Sequence, residues 1–156
     1  MKTLRREKLK VVAAQPDTSE DRYVLDDQVG FLMRIAMQRH TSIFTSQMIE
    51  GLTQTQFAAL AKLYEVGPCS QNYLGRLIYL DAATIKGVVD RLHLRGFVTA
   101  LSDPKDRRRR AVTLADRGRR ATEAAMQVAT GITAATLTPL NTDEQRILTK
   151  LLRKLA

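Results

Sequence analysis

The chain has 156 residues, of which 44% are hydrophobic, 26% are charged and 5% are aromatic, and it carries a net charge of +9 and one cysteine. This length suits a single domain that can bury roughly 70% of its unfolded surface. The low aromatic content without tryptophan argues against single-strand binding by base stacking, the lone cysteine excludes an intrachain disulfide and a multi-cysteine zinc site, and no run approaches the roughly 20 apolar residues of a membrane-spanning helix.

The N-terminal third of the chain divides into a polar arm and a long helix. Residues 1–22 are basic with few apolar residues, which predicts a loosely ordered arm. The arm's apolar run is too short for a signal peptide, so a cytoplasmic location without a membrane partner is expected. From Asp26 to the stop at Gly51, apolar residues follow helical spacing on two faces. Two apolar faces indicate contacts with two bodies, and residues 23–52 are predicted to be a dimerisation helix.

Three capping signals organise the next segment. Thr53 and Gln56 form a capping box that opens a helix. Ser70 can cap a short helix, and Asp81 opens another that ends at Gly96. Two short helices joined by so tight a turn must cross steeply, which is typical of a helix-turn-helix. The second of them is then the recognition helix.

A hairpin with a basic tip follows. Residues 97–101 and 110–114 are predicted strands around an Asp-Pro turn. Residues 105–120 hold eight basic and two acidic residues, and residues 1–10 hold five basic and one acidic, so the positive charge lies in two short stretches. Phosphate neutralisation releases counterions, so localised basic charge indicates nucleic-acid binding. The alternative is a solvated charge run, and the flanking helix-turn-helix argues against it.

The C-terminal part is predicted to be helical. An Ala-rich helix runs from about Asp116 to Leu137, and a capping box that starts at Thr142 opens a last helix. Residues 116–156 are therefore predicted, with 23–52, to be dimerisation helices around a DNA-binding lobe at 53–115. The apolar stripe of the last helix consists of Ile147, Leu148, Leu151, Leu152 and Leu155.

The order of these elements predicts a mainly α fold, a winged helix-turn-helix with a two-stranded β-wing, framed by long N- and C-terminal dimerisation helices. From Tyr23 to Ala156 the chain resembles the MarR family of bacterial transcription regulators. Each matching motif is weak alone, but their order and spacing together are specific. Where the family usually has Thr before the long helix, this chain has Ala115, and Asp116 is expected to cap that helix instead. The resemblance lies in the segments 70–74, 81–86, 89–98 and 103–110, followed by Val112-Thr113-Leu114 and Gly118.

The resemblance implies a homodimer on a pseudo-palindromic double-stranded operator, with each recognition helix in a major groove and each wing in the adjacent minor groove. It further implies a repressor that is released by a small effector. Such effectors are often aromatic acids bound between the first helix, the dimer helices and the DNA-binding lobe. Arg39 and His40 on the first helix are the candidate effector-binding residues, and for His40 a satisfied core or interface histidine is the alternative.

The DNA contacts are expected from three places. The recognition helix presents small or polar residues opposite its apolar stripe, and Ser70 and Gln71 can donate to a phosphate at a helix N-terminus. In the wing, a narrow minor groove attracts arginine, and Asp106 and Arg108 match a wing pair of the family that is expected to orient its two members. The predicted DNA-binding residues are Ser70, Gln71, Ala82, Ala83, Thr84, Lys86, Asp90, Arg91, Arg107, Arg108, Arg109 and Arg110.

The remaining polar residues suggest no catalysis. Acidic residues lie mostly at helix starts and no catalytic motif is found, so neither an enzyme nor a cofactor is expected. Two distant histidines make no metal site. His93 is interpreted as an exposed residue without a functional contact, and a phosphate contact is the alternative. Cys69 is interpreted as a packed residue, with a peroxide-sensing thiol as the alternative. The main alternative function is a winged-helix module that binds structured RNA or a protein partner.

Overall fold

The computed structural model describes residues 22–102 and 110–155. The chain is mainly helical with one small sheet, as the sequence predicts, and within the described residues no helix is long and apolar enough to cross a bilayer. In chain order the elements are a 3₁₀ turn (Leu25–Asp27), α1 (Val29–Gln47), α2 (Gln54–Val66), β1 (Cys69–Ser70), α3 (Gln71–Leu77), α4 (Ala82–Leu94), β2 (Val98–Ser102), β3 (Arg110–Leu114), α5 (Asp116–Leu137) and α6 (Thr142–Leu155).

The helices between residues 54 and 94 begin at their predicted caps. The Gln56 N–H donates to Thr53 Oγ1 at 3.2 Å, and the Thr53 N–H donates to Gln56 Oε1 at 3.1 Å, which completes the capping box of α2. Ser70 caps α3 and Asp81 caps α4 with their side-chain oxygens. Because these caps satisfy N–H groups that the helix leaves free, they fix where both helices of the helix-turn-helix begin.

The starts of α1 and α5 differ from the prediction. Asp26 lies in the 3₁₀ turn, and α1 begins three residues later, at Val29. Asp116 is the first residue inside α5 and does not cap it, so that expectation is wrong. Ala115 takes the cap position without a side-chain bond, and its N–H donates to the Phe97 carbonyl at 3.0 Å. A contact distant in sequence thus anchors the start of α5, although the Ala115 side chain cannot accept the free N–H groups of the first turn.

The start of α6 is shifted by one residue. Asn141 Oδ1 accepts the N–H groups of Asp143 and Glu144, each at 3.0 Å, and Glu144 Oε2 accepts the Asn141 N–H at 2.8 Å. The capping box therefore starts at Asn141, and Thr142 is the first helical residue rather than the cap. Asparagine is as good an N-cap as threonine, so the pattern alone did not distinguish the two.

The wing belongs to a sheet of three antiparallel strands in the order β1–β3–β2, where two strands were predicted. In the hairpin, Val98 pairs with Leu114 and Ser102 pairs with Arg110. The additional strand is β1, which pairs with Val112 and Ala111 of β3. A strand of two residues has no alternating pattern that a sequence could reveal. It attaches the start of α3 to the first half of β3.

One apolar core supports the DNA-binding lobe. The predicted stripe of α4 is buried, and α5 and the sheet contribute Ala125, Val98 and Val112 to the same cluster. Burial of this kind holds α4 in a fixed orientation, because rotating the helix would expose its apolar side chains. The core side chains that are 0% exposed include Leu60, Leu74, Ile85, Leu92 and Phe97.

Candidate nucleic-acid interface

Helix α4 presents one polar face to solvent. Its apolar side chains point into the core, so the outer face can meet a ligand without disturbing the packing. The predicted contact residues on this face are all exposed: Ala82, Ala83, Thr84, Lys86, Asp90 and Arg91.

Two local contacts order the polar side chains of α4. Lys86 Nζ lies 2.6 Å from Asp90 Oδ2. The Thr84 N–H and hydroxyl each donate to the Asp81 carboxylate at 2.8 Å, and these bonds lower the pKa of Asp81. Because the only hydroxyl proton of Thr84 goes to Asp81, this hydroxyl can offer DNA an acceptor and its methyl group but no donor.

Arg91 and Lys86 lie toward opposite edges of the polar face of α4. A Cβ added at Gly87 would be 3.4 Å from Arg91 Nη1, so the guanidinium is folded back along the helix over Gly87. The absence of a side chain at Gly87 leaves room for this position. The guanidinium of Arg91 is therefore an exposed cation that lies about one turn closer to the N-terminus of α4 than the Arg91 Cα.

The start of α3 offers hydrogen-bond donors. Ser70 is exposed and Gln71 is half-buried. Ser70 Oγ accepts the Tyr73 N–H at 3.2 Å. A hydroxyl that accepts one bond still has its proton to donate, so the cap and the predicted phosphate contact are compatible in Ser70.

Only part of the wing's arginine block is described. Arg110 is exposed and begins β3 opposite Ser102, at the outer end of the described hairpin. The predicted contacts at Arg107, Arg108 and Arg109, and the orienting role of Asp106, lie outside the described residues and stay predictions.

The two candidate effector residues meet the C-terminal part of α5. The Arg39 guanidinium donates to the carbonyls of Thr136 and Ala135, and His40 Nδ1 lies 2.9 Å from Thr136 Oγ1. Thr136 donates its hydroxyl proton to the Ile132 carbonyl at 2.8 Å. His40 Nδ1 must therefore be the donor, which leaves Nε2 as the acceptor in a neutral ring. Both side chains join α1 to α5.

A cavity of about 390 Å³ opens between the end of α1 and the start of α2. Its wall is apolar at Phe44, Met48 and Leu52, and hydroxyl groups come from threonines of both helices. Neither predicted effector residue lines it, although the His40 ring packs against Phe44 with centroids 6.2 Å apart. The hydroxyl-bearing residues that sequence reasoning missed are Thr41, Thr45, Thr53 and Thr55.

Cys69 is half-buried in β1 and packs against the core. Burial raises the pKa of its thiol, which reduces the reactive thiolate fraction. This favours the packed-residue interpretation over a peroxide sensor. Within residues 22–102 and 110–155, no cluster of three or more potential metal ligands occurs.

Comparison with known proteins identifies the family. The MarR family model matches residues 52–109. The transcriptional repressor NicR of Pseudomonas putida is 40% identical over 134 residues, which are 85% of each chain. A solved structure of a probable transcriptional regulator from Pseudomonas aeruginosa has a TM-score of 0.82 and 49% identity, over 85% of this chain and 100% of that one.

A second solved structure concerns ligand response. BpsR of Bordetella bronchiseptica, whose DNA binding is regulated by 6-hydroxynicotinic acid, has a TM-score of 0.80 and 38% identity, over 86% of this chain and 96% of that one. The family and these relatives are transcriptional regulators rather than enzymes, which confirms the expectation that this chain is not an enzyme. The winged-helix fold and the extent of the similarity together place the chain in the MarR family of transcriptional regulators.

Proposed function

We propose that the protein is a homodimeric repressor that binds a pseudo-palindromic operator and is released by a small aromatic acid. The observation that carries the DNA-binding part is the exposed polar face of α4, which lies over a buried stripe and beside the arginine that begins β3. A rigid helix can enter a major groove, and the adjacent cationic hairpin suits the narrower groove beside it. All the DNA-binding residues predicted above belong to this proposal.

A homodimer is supported by the long helices. Large apolar side chains of α1 and α6 are exposed in the single chain, and they form continuous stripes rather than isolated residues. Stripes of this kind mark interaction surfaces. We propose that residues 23–52 and 116–156 bury them against a second copy. The exposed side chains are Val29, Leu32, Met33, Ile35 and Met37 in α1, and Ile147, Leu151, Leu152 and Leu155 in α6.

Two-fold symmetry links this dimer to the operator. Two copies related by a two-fold axis present two α4 helices, which need half-sites about one helical turn, roughly 34 to 36 Å, apart. The lobe formed by residues 53–115 would carry the DNA contacts, and the basic arm of residues 1–22 would add non-specific attraction to phosphate.

The effector is proposed to bind where α1 meets α2. The cavity of about 390 Å³ has the mixture of apolar wall and few polar groups that suits a small ring. Regulation of the similar BpsR by 6-hydroxynicotinic acid supports an aromatic acid. Arg39 and His40 would contribute by holding α1 against α5 beside the cavity. A ligand that alters the angle between α1 and α2 would change the spacing of the two α4 helices.

Selection from randomised duplexes tests this function directly. The expected result is a two-fold symmetric consensus bound by two chains, with an affinity that falls when a hydroxylated aromatic carboxylate is added. The same acid should raise the melting temperature of the DNA-free protein, because a ligand that binds the folded state stabilises it. Binding without sequence preference, or by a single chain, would contradict the proposal.

A further inference from the structure

A crevice of about 290 Å³ separates α4 from the sheet. Its polar groups come from four elements: Gln71 at the start of α3, Asp90 and His93 on α4, Thr99 on β2 and Arg110 on β3. Three valines form its floor. The crevice is therefore a groove with hydrogen-bond donors along both edges and an apolar base, on the side of the molecule that carries the exposed face of α4.

We propose that this crevice holds the sugar-phosphate strand that divides the major groove from the neighbouring minor groove, and that His93 and Thr99 bind its phosphates. The inference rests on the proposed function. One backbone strand separates any two adjacent grooves of a duplex, so a helix in one groove and a hairpin in the next must straddle that strand. The space between α4 and the hairpin is this crevice.

The position of His93 along α4 favours the backbone over the bases. Residues near the N-terminus of a recognition helix contact base edges, whereas His93 lies in the last turn of α4. Lys86, Asp90 and His93 follow each other at helical spacing along one side of α4. Of these three residues, Asp90 and His93 line the crevice, and His93 is the one closer to the C-terminus of α4. The His93 side chain is exposed.

The charges around His93 suit an anion. On its own helix the nearest acid is Asp90, whose carboxylate is engaged by Lys86 at 2.6 Å. On the opposite wall β3 contributes the Arg110 guanidinium and β2 contributes the Thr99 hydroxyl. A phosphate in the crevice would thus meet cationic or neutral donors on both sides, and phosphate oxygens accept such bonds readily.

The contact predicts a loss of affinity that does not depend on sequence, because phosphates carry no base information. His93→Gln and Thr99→Val should each weaken binding about threefold to tenfold, by the same factor for the selected operator and for an unrelated duplex of equal length. His93→Lys should bind both duplexes more tightly and steepen the dependence of log K on log salt by about 0.9. Lys62→Ala, on α2 and outside the residues that line the crevice, is the control and should change neither affinity.

Duplexes in which single phosphates are replaced by neutral methylphosphonates locate the contact. One replacement between the half-site and its flanking minor groove should weaken the wild-type protein, yet cost the His93→Gln, Thr99→Val double variant nothing further. If every replacement weakened both proteins equally, or if the variants bound both duplexes as the wild type does, the crevice assignment would be wrong. If the wild type bound no duplex, the proposed function itself would fail instead.

Discussion

Gly118 on α5 and Phe97, in the link between α4 and β2, are in direct backbone contact. A Cβ at position 118 would lie 1.8 Å from the Phe97 carbonyl oxygen, and the same carbonyl accepts the N–H of Ala115 at 3.0 Å. The first turn of α5 is thereby pressed against the segment that connects the recognition helix to the wing. At this point the DNA-binding lobe and the long helix touch through backbone atoms, which adapt less easily than side chains do.

Gly118→Ala should destabilise the protein by about 3 kcal/mol, because overlap with a backbone carbonyl can be relieved only by moving α5. Urea unfolding followed by circular dichroism measures the effect. Gly131→Ala on the same helix is the control, since no described residue comes within 4 Å of its added Cβ. That change should leave stability unchanged or raise it by up to about 1 kcal/mol through helix propensity. Equal effects of the two substitutions would contradict the close approach.

Arg95 connects the end of α4 to the loop between α1 and α2. Its guanidinium lies 4.6 Å from the Phe97 ring centroid and donates to the Glu50 carbonyl. Arg95→Ala should cost about 1 to 2 kcal/mol of stability and weaken DNA binding without altering its salt dependence, because the guanidinium is engaged by Phe97 and Glu50 and acts by positioning α4. Arg146→Ala is the control: it removes an exposed ion pair with Asp143 and should have little effect on stability or on DNA binding. A flatter salt dependence in Arg95→Ala would identify a DNA contact instead.

What the sequence predicts well in this fold is local. The caps at Thr53 and Asp81 and the buried stripe of α4 follow from spacing within a few residues, and the structure confirms them. Two of the misses involve contacts between distant segments. Strand β1 exists only because it pairs with β3, and the N–H of Ala115 at the start of α5 is bound by the Phe97 carbonyl, 18 positions earlier in the chain.

The same limit applies to the candidate sites. Exposure of the polar face of α4 follows from its helical period, so those residues could be named from the sequence. Arg39 and His40 could be placed on α1, but their partners Ala135 and Thr136 lie almost one hundred positions away. The crevice beside His93 depends on how far the sheet stands from α4, and no sequence pattern encodes that distance.

Lys86→Ala should weaken binding to all duplexes and reduce the salt slope by about 1 if Lys86 neutralises a phosphate. Asp90→Asn removes the carboxylate that pairs with Lys86, and it should raise affinity for unrelated DNA because the Lys86 ammonium is then free to bind a phosphate. Titrations at several salt concentrations measure both changes. Lys62→Ala is the matched control, since Lys62 pairs with Glu65 at 2.7 Å on α2. A salt slope left unchanged by Lys86→Ala would remove Lys86 from the phosphate contacts.

Asp81 should give α4 an acid sensitivity. Hydrogen bonds from the backbone and side chain of Thr84 lower the pKa of Asp81. A carboxyl with a lowered pKa stabilises the fold above its unfolded pKa of about 3.9, and this stabilisation is lost as pH falls through the folded value. Asp81→Asn preserves the cap but cannot titrate. Wild type and variant should melt at similar temperatures at pH 7, and the wild type should lose more stability below about pH 4. If the melting temperatures of the wild type and of Asp81→Asn fell by the same amount at every pH, Asp81 would not have this role.

Leu151→Asp should convert the dimer to a monomer. Leu151 is 49% exposed in the single chain and lies on the apolar stripe of α6, so a carboxylate there would be buried unpaired at the proposed interface, at a cost of several kcal/mol. Thr149→Asp adds the same charge on the opposite side of α6 and should leave the dimer intact. Sedimentation at micromolar concentration separates the two results. Because a monomer engages one half-site alone, Leu151→Asp should also lose most of the operator affinity while keeping the helix content of the wild type. A Leu151→Asp protein that remained dimeric would exclude this stripe from the interface.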